Sequence, residues 1–437
     1  MTGIFSHFSP TYLLKILNTY PTVSTVWVAY SGGVDSHVLL YALAQLRVQT
    51  FQLRAVHIQH HLHPKANDWA IHCQQVCKIL SIPCQVIPVK IPSTTGESIE
   101  ALAREARYAA FADCIQNNDL LLTAHHADDQ VETVLLQLLR GAGVAGLAAM
   151  PDIMSFKKGW LGRPLLSFNR IQIVDYAKKE KLNWLEDPSN VDKRFDRNFL
   201  RHEIIPPLRG RWQNLDRVFN RVAHHQAEAL DLLQILAEQD WQIARIDQQL
   251  SIPIIKQLTT ARQRNLLRYW LKQLGLIMPS TQQLQRILDE VILAGQDRQP
   301  LVRWQGGEVH RYQNQLIAIP NLPAIPTKPL QWLIPETLIL PLGKLTATRV
   351  QGGGLAIPAS TILQIRFRQG GETCVWRGHH RVVKKLLQSA RIPTWQRPFL
   401  PLIYDEQGHL LAIPNVAVCD KVTVQAGEFG WELGWKM

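Results

Sequence analysis

Val28-Ala29-Tyr30-Ser31-Gly32-Gly33-Val34-Asp35-Ser36 is an apolar strand end, a turn built on two adjacent glycines, and the start of a helix that continues through Val38-Leu39-Leu40-Tyr41-Ala42-Leu43. Adjacent glycines let the backbone turn sharply and bring its amides close to a ligand, while the helix that follows points its positive end the same way. Ser31 and Ser36 add hydroxyls, so the loop suits a phosphate or pyrophosphate anion. Asp35 would repel such an anion unless it holds a cation, with magnesium the candidate; the plainer alternative is that it caps the helix. No Lys follows a second glycine before Ser or Thr, so this is not a Walker loop.

Around this loop, strand-like and helix-like segments alternate. Strands are expected at Thr25–Tyr30, Leu53–Ile58, Cys84–Val89 and Asp119–Ala124, and helices at Ser36–Leu46, Lys65–Leu80, Glu97–Gln116 and Asp128–Arg140. Helices of that length serve as crossovers between parallel strands, which predicts an α/β domain with a doubly wound parallel sheet. Beyond Arg163-Pro164 the pattern turns helical: Arg170–Lys181, Asn198–Ile205, about Trp212–Ile246, Thr260–Leu274 and Thr281–Leu293. Short β-like runs start at Leu301, and prolines between Pro320 and Pro341 forbid a helix and suit a linker or edge strands. The last stretch mixes short strands with one basic helix, Arg381–Ser389. The expected order is a catalytic domain at 1–212, a mainly helical domain at 213–318, a proline-rich connector at 319–359 and a small mixed α/β domain at 360–437.

The chain has 437 residues, 46% of them hydrophobic, and 47 Lys and Arg against 35 Asp and Glu leave a net charge of +12. That excludes a disordered or collagen-like chain and favours a polyanionic partner, nucleic acid or a membrane surface. Apolar runs such as Val134–Leu139 are far short of the roughly 20 residues that cross a bilayer. With no secretory pattern at Met1–Pro10, the expected setting is the cytoplasm. The six cysteines, Cys73, Cys77, Cys84, Cys114, Cys374 and Cys419, follow no zinc or redox spacing and are expected to be reduced thiols.

The strand ending Leu120-Leu121-Leu122-Thr123 opens into Ala124-His125-His126-Ala127-Asp128-Asp129-Gln130-Val131-Glu132-Thr133. Helical spacing lets His125, Asp129, Glu132 and Thr133 face one pocket, with Val131, Val134, Leu135 and Leu138 toward the sheet. Ligands of doubly wound sheets gather at the carboxyl ends of strands, where both motifs fall. An acidic first turn also complements the helix dipole, an account sufficient for Asp128 but not for His125 or Thr133. Gly141-Ala142-Gly143-Val144-Ala145-Gly146 matches a dinucleotide fingerprint in letters, yet it follows a helix and reads as a helix end and loop.

The loop Ser31–Ser36 resembles that of the N-type ATP pyrophosphatases, and His125, Asp128, Asp129, Glu132 and Thr133 resemble the second signature of the tRNA(Ile)-lysidine synthase family. The likeness runs from Val28 to about Trp212, including Asp187-Pro188-Ser189-Asn190 and Asp196 to Arg201, and recurs at Arg366–Glu372 and Lys384–Leu387. It implies an adenine nucleotide alpha hydrolase-like fold with ATP as co-substrate and magnesium as cofactor. Ser31, Gly32, Gly33, Val34, Asp35, Ser36 and His125 would bind the nucleotide, with Asp35 on the metal. Asp129 and Glu132 would bind the amino groups of lysine, Arg107 would lie near the ATP and the nucleotide, and Arg197 would meet a substrate carboxylate or phosphate.

The reaction implied joins L-lysine to C2 of the wobble cytidine of the isoleucine tRNA with a CAU anticodon. An adenylated cytidine precedes lysidine, and AMP and pyrophosphate are released. A tRNA thiolase, a glutamine-dependent synthetase and a non-catalytic RNA-binding protein are the alternatives; no C-x-x-C pair and no glutaminase part is evident. Under the resemblance Arg366, Arg368, Arg377, Arg381, Lys384, Lys385, Arg391 and Arg397, interleaved with Trp376 and Trp395, become tRNA-contact candidates; otherwise they read as a solvated basic face over two buried tryptophans. His57, His60, His61 and His63 read as hydrogen-bonding or surface residues in preference to a metal site. Oligomeric state is open, a homodimer included.

Overall fold

A computed structural model describes residues 7–46, 51–60, 63–91, 99–295 and 298–436. The chain divides into two compact units, residues 1–233 and 234–437.

The first unit is built on a six-stranded sheet. Its strands are β1 (Thr25–Ala29), β2 (Gln52–Gln59), β3 (Cys84–Pro88), β4 (Leu120–Leu122), β5 (Ile153–Phe156) and β6 (Gly159–Gly162), in the order β3-β2-β1-β4-β6-β5. All neighbours are parallel except β5, which pairs antiparallel with β6. Side chains alternate across β1. Val26 and Val28 enter one core with residues of helices α1 (Pro10–Leu17), α2 (Val34–Leu46) and α3 (Ala66–Ile79), while Trp27 joins Phe111 of α4 (Ile99–Cys114) and Ile115 just beyond it in another. Helices therefore cover both faces, and the doubly wound sheet expected from the sequence is present. Because the strand after β3 pairs beside β1, the winding reverses between β1 and β4. That junction is where such sheets open a crevice for ligands.

Helix α5 (Ala127–Leu139) follows β4, and α6 (Arg170–Lys179) follows β6. The apolar side of α5 was expected to face the sheet. Instead Val131 and Leu135 pack with Leu200, Ile204, Ile205, Leu208 and Leu215, and Leu138 is exposed. The expected helix Asn198–Ile205 is a composite: α-helical at Asp196–Phe199, π-helical at Leu200–Ile204, and α-helical again at Ile205–Arg211. Pro206 and Pro207 have no amide hydrogen to continue the preceding ladder, so the hydrogen-bond register changes ahead of them. The hairpin β5–β6 was not expected; its turn uses Lys157 at φ 52 in place of the Asn or Gly that usually signals one. Glu97, the expected start of α4, lies outside the described residues.

In the second unit, helices Thr260–Gln273 and Thr281–Arg286 pack around Trp270 and Leu271, against a five-stranded antiparallel sheet that uses Arg245–Ile246, Gln249–Ser251 and strands 301–319. The end of the expected Trp212–Ile246 helix is thus a strand; the helix itself runs Leu215–Ala244. In the proline-rich stretch, Leu330–Leu333 and Leu338–Leu340 are edge strands, and Trp332, Ile334 and Leu340 belong to a core shared with the C-terminal strands. Cys374 and Cys419 form a disulfide with Cα atoms 5.7 Å apart, which corrects the reading of all six cysteines as thiols. The pairing has no local signature, because the fold brings together positions 45 residues apart. Cys73, Cys77, Cys84 and Cys114 are free.

Gly32 turns β1 into α2 at φ +85, and a Cβ there would meet Leu185 Cδ1 at 2.8 Å and Cys73 Sγ at 3.1 Å. Gly32→Ala is expected to cost about 1–3 kcal/mol, read as a lower midpoint in urea unfolding; an unchanged midpoint would show that the turn tolerates a side chain.

Candidate active site

The loop after β1 is knitted to itself. The Ser31 amide donates to Ser36 Oγ at 3.2 Å, the two hydroxyl oxygens lie 3.0 Å apart, and Ser36 Oγ donates to the Gly33 carbonyl at 3.0 Å. The Gly32 carbonyl accepts from the Leu185 amide at 2.9 Å. The serine hydroxyls, expected to serve an anion, thus shape the loop, while the first-turn amides of α2 lie beyond reach of its own carbonyl ladder. His57 Nδ1 lies 2.9 Å from the Tyr30 carbonyl, so it braces the strand end.

Asp35 is the loop's charged group. Its Oδ2 lies 3.7 Å from His126 Nε2, and its Oδ1 is buried with no hydrogen-bond partner among the described residues. Burial raises its carboxyl pKa, with Asp129 adding to the rise and His126 opposing it. An orphaned buried carboxylate oxygen at a phosphate-type loop is a donor that suits magnesium. Among the described residues no group of three or more His, Cys, Asp or Glu could hold a metal ion.

Beyond the adjacent strand β4, His126 caps the start of α5, and Asp129 Oδ2 accepts its backbone amide at 3.0 Å. The His126 ring is enclosed by three carboxylates: Asp35 at 3.7 Å, Asp128 at 3.4 Å and Asp129 at 3.5 Å. Burial works against the imidazolium, but these anions win and raise its pKa to about 9. Its neighbour goes the other way. Burial brings the His125 pKa down to about 3, with Arg163, Arg197 and Arg104 adding to the fall and Asp129 opposing it, and Thr123 Oγ1 lies 2.8 Å from its Nδ1.

Asp129 and Glu132 converge on two guanidinium groups. Arg197 reaches Glu132 through Nε at 2.6 Å and Asp129 through Nη2 at 2.9 Å; Arg201 reaches Glu132 through Nε at 2.6 Å and Nη2 at 3.0 Å, and Asp129 at 3.4 Å. Glu132 has no exposed surface. Burial disfavours ionised Asp129, yet His126 and Arg197 outweigh it and hold that carboxyl well below the usual range.

Asp128 has a bracing role. It accepts from the Arg170 amide at 2.8 Å and from Arg209 at 2.5 Å, linking α5 to α6 and to the segment Ile205–Arg211. Thr133, expected to line the pocket, donates instead to the Asp129 carbonyl inside its own helix at 2.7 Å. The fold thus brings Asp35, Asp129, Glu132 and Arg197 into one linked set, with His125 alongside. Arg107 is exposed on α4, where its charge acts on His60 at the end of β2. His63 stacks on Trp69, and His61 lies outside the described residues.

The sequence reading gave no role to His126, Arg201 or Arg209. A signal for Arg201 existed: Arg197 and Arg201 share a helical i, i+4 face, just as Asp129 and Glu132 share an i, i+3 face.

Residues 8–208 match the PP-loop domain model, 250–317 the TilS substrate binding domain and 363–435 the TilS substrate C-terminal domain. Relatives bearing the name tRNA(Ile)-lysidine synthase align along almost the whole chain. The Coxiella burnetii protein is 44% identical over 99% of this chain and 97% of its own length. The Alkalilimnicola ehrlichii protein is 40% identical over 96% of each, and that of Serratia proteamaculans is 41% identical over 94% of this chain and 95% of its own. The chain belongs to the tRNA(Ile)-lysidine synthase family. As a member of that family it is an enzyme, an ATP-dependent ligase with a PP-loop domain. That domain's span contains Asp35, His126, Asp129, Glu132, Arg197 and Arg201, and the family's two further domains match segments of the second unit.

His126 gives the site a testable pH signature. Its folded pKa of about 9 exceeds its usual 6.5, so its stabilisation is complete below about pH 6.5 and is lost as pH rises through about 9. Thermal unfolding is expected to show stability falling between those values, with a shallower fall in His126→Gln; equal slopes would contradict a protonated His126.

Proposed function

We propose that the enzyme joins the side-chain amine of L-lysine to C2 of the wobble cytidine in the isoleucine tRNA with a CAU anticodon, converting ATP to AMP and pyrophosphate through an adenylated cytidine. The observation that carries this reading is the meeting of Asp35, from the loop after β1, and Asp129, from the helix after β4, on one imidazole at the switch point of the sheet. A nucleotide loop and an amine-binding acidic surface are thereby neighbours, as a two-step ligation requires.

The carbonyl at C2 of cytosine is a poor electrophile with a poor leaving group. Transfer of AMP to that oxygen turns it into a leaving group, and pyrophosphate departs. The lysine amine then attacks C2 and displaces AMP. An amine of pKa about 10.4 is mostly protonated at neutral pH, so a carboxylate must take or orient its proton. Asp129, the member of the acidic pair with exposed surface, supplies that charge with Glu132 behind it, and Arg197 pairs with a substrate anion. Loop amides from Ser31 to Ser36 bind the phosphates, with His125 beside the nucleotide and Arg107 near ATP and the target base. Asp35 would hold magnesium, which when bound offsets charge on pyrophosphate.

The domains at 213–318 and 360–437, joined by the connector 319–359, are assigned to the body of the tRNA. Phosphate contacts position such a substrate without reading its sequence. Arg377, Arg381, Lys384, Lys385 and Arg391 are exposed and suit this role, Arg377 resting on the Trp376 ring at 4.4 Å. Arg366 lies over Tyr404, Arg368 sits 3.6 Å from Glu372, Arg397 donates to the Ile392 carbonyl and Trp395 stacks on His310, so these four are engaged within the second unit. No helix of the described residues is long and apolar enough to cross a membrane, and the proposed place of work is the cytoplasm.

Mass spectrometry of isoleucine tRNA incubated with enzyme, ATP and lysine is expected to show lysine added at the wobble cytidine; unmodified tRNA would contradict the reading. Asp35→Ala is expected to abolish the accompanying pyrophosphate release, and an unchanged rate would remove Asp35 from the nucleotide site.

A further inference from the structure

Glu132 is sealed. Its Oε1 accepts from Arg201 Nε, its Oε2 accepts from Arg197 Nε and Arg201 Nη2, and none of its surface is exposed. A substrate amine arriving from solvent meets the arginines and Asp129 first, whose side chains are 24%, 23% and 12% exposed for Arg197, Arg201 and Asp129.

Each guanidinium spends two of its three nitrogens on these carboxylates, Nε and Nη2. Among the described residues neither Nη1 group is engaged. Because the guanidinium is planar, fixing one edge on a buried carboxylate fixes the direction of the remaining N–H groups. Glu132 therefore works as an anchor that aims two unspent Nη1 donors.

The charge balance identifies the anion they suit. Asp129 and Glu132 against Arg197 and Arg201 form a set with no net charge. A phosphate would add one or two negative charges to that partly buried set. The backbone end of an amino acid adds one ammonium and one carboxylate on the same carbon, hence no net charge.

We propose that Arg201, together with Arg197, binds the α-carboxylate of the amino-acid substrate, with Asp129 left for the amine and Glu132 holding both arginines without touching substrate. This inference rests on the lysine-ligase reading above and deepens it. Arg201 is thereby a specificity-determining residue, selecting free amino acids over amines that lack a carboxylate.

The experiment compares kcat/KM for lysine with that for lysinamide, which keeps both amines and lacks the carboxylate, in the wild-type enzyme, Arg201→Met and Arg201→Lys. Charge-assisted bonds of this kind predict that wild-type enzyme prefers lysine by about tenfold or more, and that Arg201→Met loses most of this preference through a higher KM for lysine. Arg201→Lys, which keeps the charge but not the fork, is expected to fall between the two; it also decides the matter if Arg201→Met does not fold. An equal preference in all folded forms overturns the inference and leaves the ligase reading standing. So does a rise in KM for ATP or tRNA with the preference intact, which would give Arg201 to a phosphate. Wild-type enzyme that adds no lysine to tRNA overturns the ligase reading itself, and this inference with it.

Discussion

A carboxylate without access to water persists only when its charge is answered nearby, and Glu132 is answered by two guanidiniums at 2.6 Å. That constraint organises the site. It fixes the segment from Asp196 to Ile204 against α5, since both arginines lie on it, and it leaves Asp129 as the carboxylate at the edge of the cluster. Removing either arginine would leave a buried anion under-compensated, a change that costs several kcal/mol in comparable settings.

The cluster acquires a function from where the sheet places it. β1 and β4 are neighbours, so the loop of one and the helix of the other open into the same crevice. His126 joins them, its ring contacting Asp35 of the loop and Asp129 of the helix. Three anions around one buried cation form an arrangement in which each group sets the protonation of the others. The neutral His125 beside it shows how steep the local field is: adjacent residues shift in opposite directions, to about 3 and about 9.

Much of the first unit was legible in the sequence because its signals are local. Glycines at the end of an apolar strand, helices long enough to cross over, and an acidic first turn after a second strand each announce themselves within a dozen residues. Asp35, Asp129 and Glu132 were singled out that way, and Arg197 through the family resemblance. What escaped depended on distant partners or unusual local chemistry. The i, i+4 spacing of Arg197 and Arg201 puts them on one face without naming Glu132 as their shared partner, and His126 gains its role only once β1 and β4 are paired. The Lys157 turn concealed the β5–β6 hairpin, and consecutive prolines converted an expected helix into a composite one. Thr133 illustrates the reverse error, since helical spacing put its side chain on the right face while its hydroxyl is satisfied by its own backbone. The Cys374–Cys419 bond needed the C-terminal fold to be visible at all.

The central claim is that a nucleoside triphosphate and an amino acid occupy adjoining halves of one crevice, divided by His126. A crystal structure of the enzyme with a non-hydrolysable ATP analogue and lysine tests it most directly. Phosphates are expected against the Ser31–Ser36 loop, and the lysine backbone between Asp129 and the two arginines. A nucleotide bound away from that loop, or lysine lodged without contact to Asp129 or Arg201, would contradict it.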